Sequence, residues 1–380
     1  MKHWLQSSVA SVTGTAEPVY GKAAIHSVID RVSNQNPYTE LSSKDLEWEL
    51  PSSSHVETQT FYLIADSGHI CFVQVIQSNI GSWSSTAQFV CRVFHPNHPE
   101  HSAWSSTNLE QAHISDDKKS FTADRISLVL SSDEKKYTLG ASVSRSTIVD
   151  IVFERDAPSF KIGKDGTTLF GTDIEKPWGS MKHFFWPRVK VSGTIIVNGI
   201  AIDIGGIGMY IHAIQGMKPH HLASSWNFVS FHGPTISAVM MEFTTPPSYG
   251  STAVNIGGIV RNNDIVACTV NNVAKHVETV RDDETGWKEP TTVELSWRGV
   301  DARSGTIGVE AHMNANLKTK IARLDILAEI PPILKNIVHG LSGTKPFIYK
   351  FANTAKISLK IGQEVMEEEG VLYNEATFIS

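Results

Sequence analysis

The sequence predicts an all-β protein of the sandwich or barrel type. Three observations carry that expectation. Short apolar or alternating runs recur along the chain. Residues 69–77 and 86–94 are nearly continuous apolar runs, whereas Ile126, Leu128 and Leu130, and then Tyr137, Leu139, Ala141 and Val143, alternate with polar neighbours. Alternation of this kind puts the apolar residues on one face of a pleated strand. Secondly, Asn198-Gly199 and Asp165-Gly166 are dipeptides that accept the positive φ of a type I′ turn, so each predicts a hairpin. Thirdly, helical signals are confined to the N-terminus and to a stretch after Pro331-Pro332.

At 380 residues the chain is long for one core, and two domains are expected. The 41% hydrophobic content suits well-filled interiors. A net charge of −6 and a pI near 6.2 leave no basic excess for a phosphate backbone, so no nucleic-acid partner is expected. Cys71, Cys91 and Cys268 are widely spaced in apolar, strand-like runs, with no C-x-x-C pair. That pattern reads as buried, reduced thiols of a cytosolic protein, not as a disulfide framework or metal knuckle. No run approaches the roughly 20 apolar residues of a membrane-spanning helix, and the N-terminus lacks the apolar core of a signal peptide.

The chain divides into residues 1–17, 18–215 and 216–380. In the first segment, Met1, Trp4, Leu5, Val9 and Val12 fall within an arc of roughly 140° on a helix. Lys2, His3, Gln6, Ser7 and Thr13 occupy the other side, and Gly14 and Pro18 end the helix. A short amphipathic helix with a mostly uncharged polar face lies weakly in a membrane interface with Trp4 at headgroup level, or it caps the open end of a barrel. Residues 31–58 are polar and read as surface wrapping anchored by Leu46 and Trp48. Strands are expected over 147–155, 235–245, 252–261 and 265–271, through Leu324–Leu327, along Ile357, Leu359 and Ile361, and from Gly370 to Ile379. Between the last groups, Ile333, Leu334, Ile337, Val338 and Leu341 predict an accessory helix over 331–342. The polar Gly216–His221 stretch, with Gly and Pro, marks the boundary between the two β domains.

The stretch 177–199 organises the rest. It holds Trp178, His183, Phe184, Phe185, Trp186 and Arg188 before a β-rich run, and Pro187 argues against a regular central strand there. With Tyr210, Trp226 and Phe228, the aromatics read either as packing at a domain seam or as the wall of an apolar cavity. A barrel of about eight strands can be filled by its own side chains or can hold one small ligand. Burying hydrocarbon stabilises by roughly 0.8 kcal/mol per CH₂, so a lipid suits such a space. His183, His232 and Arg188 supply polar contacts able to orient a head group.

Other patterns read blandly. His95, His98 and His101 tempt a metal reading, but Pro96 and Pro99 prevent a helix, so a solvated loop is expected and no metal. Gly205-Gly206-Ile207-Gly208 leads into a strand pattern, not a helix, which argues for a bulge or tight turn over a phosphate loop. Asp116–Lys119 and Asp282–Glu284 read as exposed turns, and Glu367–Glu369 as a solvated loop before the last strand. There is no Gly-x-Ser-x-Gly elbow, H-E-x-x-H, P-loop or dinucleotide fingerprint. No catalytic residue and no cofactor are assigned.

The run Gly-Ser-Met-Lys-His-Phe-Phe-Trp-Pro-Arg at 179–188 resembles the central signature of the survival factor 1 family. Residues 16–22 and 25–28 are similar to that family's opening, and residues 226–233 to the start of its second domain. These are fungal tandem lipocalin-like proteins related to carotenoid-hydratase-like domains, and the likeness spans the chain. It implies two lipocalin-like antiparallel β-barrels and favours membrane contact for the N-terminal helix. It also implies a ceramide-like sphingolipid ligand, endoplasmic-reticulum and Golgi membranes as docking sites, and a role in surviving oxidative stress. The expected protein is a monomeric, non-enzymatic lipid carrier of the cytoplasm and nucleus, peripheral on those membranes. The rival is a hydratase or isoprenoid cyclase, with Asp203, His183 or His232 as the acid.

Overall fold

In a computed structural model the described residues are 18–32, 36–51, 53–79, 85–144, 147–217, 219–329 and 346–380. The amphipathic segment with Met1, Trp4, Leu5, Val9 and Val12 lies outside them, as does the helix expected over 331–342.

The strands form two curled antiparallel sheets. The path of the first runs from Ala103–Leu109 through Ser85–Phe94, Ile70–Asn79, His55–Ala65, Gly206–Gln215, Gly179–Val197, Thr147–Arg155 and Lys136–Ser144 to Ile126–Leu130 and two short strands. The second runs from Asp264–Thr269 through Ala253–Arg261, Ile236–Thr244, Ser225–His232, Glu364–Phe378, Phe347–Ile361, Gly308–Asn316 and Lys288–Val300 to Val273–Arg281. A pairing of Thr269 with Gly299 joins the two limbs of this second path into a barrel. The last strand of the first sheet ends at Gln215, and the first of the second begins at Ser225. The hairpin at Asn198-Gly199 forms: φ is 51° and 84° at the two residues, and Val197 faces Ile200.

Four local expectations give way to tertiary context. Pro187 lies inside the central strand Gly179–Val197. The ladder with Gly206–Gln215 steps from Trp186↔Tyr210 to Val189↔Gly208, a bulge that takes one extra residue out of register. On the other side, the partner changes there from Phe160, opposite Phe185, to Arg155, opposite Val189. A missing N–H at that point breaks no ladder bond, which is why a proline is tolerated. Asp165-Gly166 does not make a hairpin. Its flanking strands, Phe160–Ile162 and Thr167–Phe170, both pair with Gly179–Val197 and not with each other. Asp165 instead accepts the Thr167 N–H and pairs with Arg31, an Asx turn with the same dipeptide chemistry. Leu324 and Asp325 end a strand, but Asp325 accepts the N–H groups of Leu327 and Ala328 and starts the helical turn Ile326–Glu329. Glu367–Glu369 lies within the strand Glu364–Phe378, where the Glu368 carboxylate accepts the N–H groups of Thr235 and Ile236.

Three cores hold the molecule. The first barrel is filled by rings: Trp48, Phe61, Phe121, Tyr137, Phe153, Trp186 and Tyr210 are all essentially inaccessible. The second barrel has fewer rings and more small or pliable side chains, including Ala238, Met240, Ala267, Ala311, Met313 and Ala315. The third core lies between the barrels, where Phe160, Phe185 and Met209 meet Phe228, Val239, Phe243 and Ile256. Gly258 is required there, because a Cβ would come within 2.5 Å of the Phe160 ring. Cys71 and Cys91 sit in the first core and Cys268 in the seam, all buried free thiols. Burial pushes the Cys91 thiol up to about 12, so it is inert at neutral pH.

Candidate functional site

The strand Ser225–His232 alternates about the wall of the second barrel. Val229 and Phe231 belong to that barrel's core, so Asn227 points inward with them, while Trp226 and Phe228 pack on the seam side. By the same alternation Glu242 shares the inward side of Ala238 and Met240, and Asn255 that of Ile259. Three polar side chains on neighbouring strands therefore converge at one mouth of an otherwise apolar barrel. A cavity of about 410 Å³ opens at this mouth, bordered by Trp226, Asn227, Val273, Ala274, His276 and Phe378.

The polar groups are tied together. Asn227 Nδ2 donates to Glu242 Oε1 and Asn255 Nδ2 to Glu242 Oε2, both at 2.8 Å. His276 Nε2 donates to Asn227 Oδ1 at 2.9 Å, and burial lowers the pKa of this imidazole, which keeps it neutral at neutral pH. The buried Asn255 Oδ1 has no protein partner among the described residues. Such a group is costly to bury, so it marks a place where a donor from outside is expected. Asn227 stands on the rim of the cavity with Ser225, Lys275 and Thr377, and Glu242 and the unmatched Asn255 carbonyl lie on the next two strands behind it, joined to it by hydrogen bonds and not themselves bordering the cavity. Over it lies Val273–Arg281, the last strand of the second path, with Val273, Val277 and Val280 exposed.

The ten residues expected around a cavity fall in four places. Trp226 borders the mouth. Phe185, Phe228, His183, Arg188 and His232 belong to the seam. There Phe185 stacks on Phe160 at 4.8 Å and Phe228 on Tyr62 at 4.6 Å. Burial lowers His183 to about 3, and burial with the nearby Arg188 does the same to His232. Arg188 acts as a clasp. It reaches from the first sheet to donate to the carbonyls of Gly233 and Pro234 and to Ser237 Oγ, with Asp156 beside its Nε. His232 is held between Ser230 and Ser237. Trp186 and Tyr210 lie in the first core, each about 5.1 Å from Tyr137, and Phe184 lies against His212. Trp178 is half-exposed and donates to the Tyr249 hydroxyl. Asp203 is exposed and accepts the Gly205 N–H, so it faces no cavity of this kind.

Sequence reasoning missed Asn227, Glu242, Asn255 and His276. The available signal was a polar residue at an inward position of an apolar strand, as in Met240-Met241-Glu242-Phe243. It becomes readable only once the inward parity of each strand is known.

The first barrel has a buried polar site of a different kind. His212 Nε2 meets Glu57 Oε1 at 2.7 Å, with both side chains fully buried, and the carboxylate also accepts the N–H groups of Glu49 and Leu50. Burial pushes the Glu57 carboxyl up, but the bond and charge of His212 with the two N–H groups outweigh it, and the net pKa is lowered from 4.5. A depressed pKa contributes stability that is present above about 4.5 and lost as pH falls through the lower folded value. Glu57→Gln is therefore expected to lose about 3–5 kcal/mol of unfolding free energy at pH 7, as breaking a buried pair does. The gap to the parent protein should narrow as pH approaches 3. Urea titrations at pH 7, 5 and 3.5 check this, and a gap that ignores pH would show that the carboxylate charge is not its source.

Comparison with known proteins gives the family and the fold. The Svf1 family model matches residues 2–380. A Schizosaccharomyces pombe relative, ceramide-binding protein svf1, is 51% identical over 381 residues and the alignment covers 100% of both chains. Ceramide-binding protein svf-1 of Neurospora crassa is 45% identical over 383 residues, again covering 100% of each. Among solved structures, CghA superimposes with a TM-score of 0.59 at 10% identity, covering 86% of this chain and 89% of its own. Kievitone hydratase from Nectria haematococca gives 0.52 at 14% identity, covering 90% and 97%. At these identities the two structures speak to the fold, which is the tandem-barrel, carotenoid-hydratase-like lipocalin fold. With a family model matched almost end to end and relatives aligned over their full length, the chain belongs to the Svf1 family.

Proposed function

We propose that this protein binds a ceramide-like sphingolipid at the mouth of its second barrel and carries it between endoplasmic-reticulum and Golgi membranes. The observation that carries the reading is a cavity walled by Trp226, Val273, Ala274 and Phe378, with Asn227 on its rim and the acceptors Glu242 and Asn255 Oδ1 hydrogen-bonded in line behind it, within reach of a head group that enters past Asn227. A ceramide head group bears two hydroxyls and one amide N–H, all donors, and these match acceptors. The names of the full-length relatives support the ligand class. A volume of about 410 Å³ lies at the lower end of the roughly 300–1,000 Å³ typical of ligand sites. It takes the head group and the first part of a chain. The rest of the hydrocarbon requires the strand Val273–Arg281 to lift, or the Ala- and Met-rich barrel interior to yield.

In this reading residues 18–215 and 216–380 are two domains of a monomer. The first, filled by its own rings, acts as a platform, and the second holds cargo. Residues 1–17, through Trp4 and Leu5, dock the carrier on membranes of the cytoplasmic face, and the chain reaches cytoplasm and nucleus when undocked. Protection in oxidative stress would follow from keeping free lipid out of solution. The test is mass spectrometry of lipid copurifying with the chain, and ceramide transfer between liposomes. A protein lacking residues 1–17 should still bind ceramide but lose vesicle sedimentation and transfer. Copurification of no sphingolipid, with no transfer by the full chain, would overturn the carrier reading.

A second reading is favoured by one specific observation, the inward Glu242 carboxyl on a fold that kievitone hydratase shares. In hydration of an alkene, a protonated Glu242 would give its proton to one carbon and water would add to the other. The proton released by that water would return to the carboxylate. Incubation with isoprenoids that returns a product one water heavier, lost in Glu242→Gln, would establish this enzyme and displace the carrier.

A further inference from the structure

The sequence 95–101, His-Pro-Asn-His-Pro-Glu-His, is expected to be a solvated loop because its prolines forbid a helix. They do forbid one, but they also fold the segment tightly. His98 N–H reaches the His95 carbonyl and His101 N–H the His98 carbonyl, with Pro99 opening a short 3₁₀ turn over Pro99–His101. The turn stacks the His98 and His101 rings 4.9 Å apart and sets Glu100 between them. Glu100 Oε1 lies 3.0 Å from His98 Nδ1 and 3.8 Å from His101 Nε2, and the three ligand atoms are all within 4.8 Å of one another.

Hydrogen bonding fixes which nitrogen of His101 is free. The Ser67 hydroxyl donates to the Asp203 carbonyl, so toward His69 Nδ1, at 2.8 Å, it accepts. His69 therefore carries its proton on Nδ1 and presents a lone pair at Nε2. That lone pair takes the Nδ1 proton of His101 at 3.0 Å. His101 Nε2 is left with a lone pair 3.8 Å from the Glu100 carboxylate, a gap that a metal ion or a ring proton between them would fill. His95 has both nitrogens engaged: Nδ1 accepts the Asn97 N–H, and Nε2 donates to the Ser67 carbonyl. It supports the turn and is not a ligand.

We propose that His98 Nδ1, Glu100 Oε1 and His101 Nε2 bind a first-row divalent cation of the zinc class, with His69 as the positioning residue. Ligand bonds of about 2.0–2.2 Å place tetrahedral ligand atoms about 3.3 Å apart. The 3.0 and 3.8 Å separations bracket that value. His98 and Glu100 are about half-exposed and free to close the longest separation. Two imidazoles and one carboxylate suit zinc, cobalt or nickel and leave a fourth position for water. The chain His101–His69–Ser67 is the outer support such a ligand usually has. The bound ion fastens the 95–101 turn to the Ser67–His69 turn at one rim of the first barrel.

The experiment uses the full, tag-free, metal-stripped chain and titrates Co²⁺, followed by visible absorption, with Zn²⁺ in competition and thermal unfolding in parallel. The expected result is one Co²⁺ per chain with the strong bands of a tetrahedral site, displaced by Zn²⁺, and a melting temperature that rises with Zn²⁺. His98→Ala and His101→Ala, both on an exposed turn, should lose the spectrum and the stabilisation. His69→Phe should weaken affinity roughly 10–100-fold, the usual effect of removing outer support. His312→Ala, on an exposed strand face elsewhere, should change nothing. Absence of stoichiometric Co²⁺ binding overturns the proposal. So does binding that survives both His98→Ala and His101→Ala, since the chain has 16 histidines and the ion would then sit among others.

Discussion

Ala274→Trp is expected to reduce ceramide transfer between liposomes by about tenfold or more, a change equivalent to ~1.4 kcal/mol of binding. Ala274 is half-buried, borders the 410 Å³ cavity and lies on the last strand of the second path. An indole in its place fills the cavity proposed for the ligand, without cutting a ladder bond or emptying a core. Thermal stability should therefore stay near that of the parent, and the vesicle sedimentation proposed for residues 1–17 should be unaffected. Unchanged transfer by a folded Ala274→Trp protein would move the ligand away from this mouth. A companion change, Asn255→Leu, removes the unmatched carbonyl and should weaken ceramide binding while sparing simple fatty acids, which have no need of that acceptor.

Trp186→Ala should do the opposite. Trp186 is inaccessible, stands about 5.1 Å from both Tyr137 and Tyr210, and has the Arg155 guanidinium over its ring. Removing a large ring from so dense a cluster costs the transfer term and leaves a cavity, about 3–5 kcal/mol together. Equilibrium urea unfolding should register that loss. Ceramide transfer per folded molecule should hold, because the ring lies in the first barrel and the proposed cargo mouth in the second. Loss of transfer at full stability would mean that the first barrel is not the filled platform described above.

The spread of the aromatics over different spaces follows from chain parity. In Gly179–Val197 and Ser225–His232, successive residues point to opposite sides of a wall that has a barrel interior on one side and the inter-barrel seam on the other. The sequence shows aromatics at 184, 185, 186, 226 and 228 as one group. The fold splits them: Trp186 enters the first barrel, Phe185 and Phe228 enter the seam, and Trp226 edges the second mouth. Both faces of each strand are covered, so hydrophobicity alone does not say which space a side chain enters. The same two-sided burial hid Asn227 and Glu242, whose importance depends on their pointing inward.

What the sequence determined by itself is local: strands where apolar residues alternate, a hairpin at Asn198-Gly199, and three cysteines inside apolar runs. Those follow from backbone preference and from the cost of exposing hydrocarbon, which act within a few residues. Only the tertiary structure decided that Pro187 lies in a bulge where its strand changes partner, and that Arg188 clasps two barrels. It also decided that one barrel is packed with rings while the other keeps an open mouth with Asn227, Glu242 and Asn255 linked behind its rim. Each of these depends on which distant strand lies alongside, and partners well separated along the chain leave no mark on the residues between them.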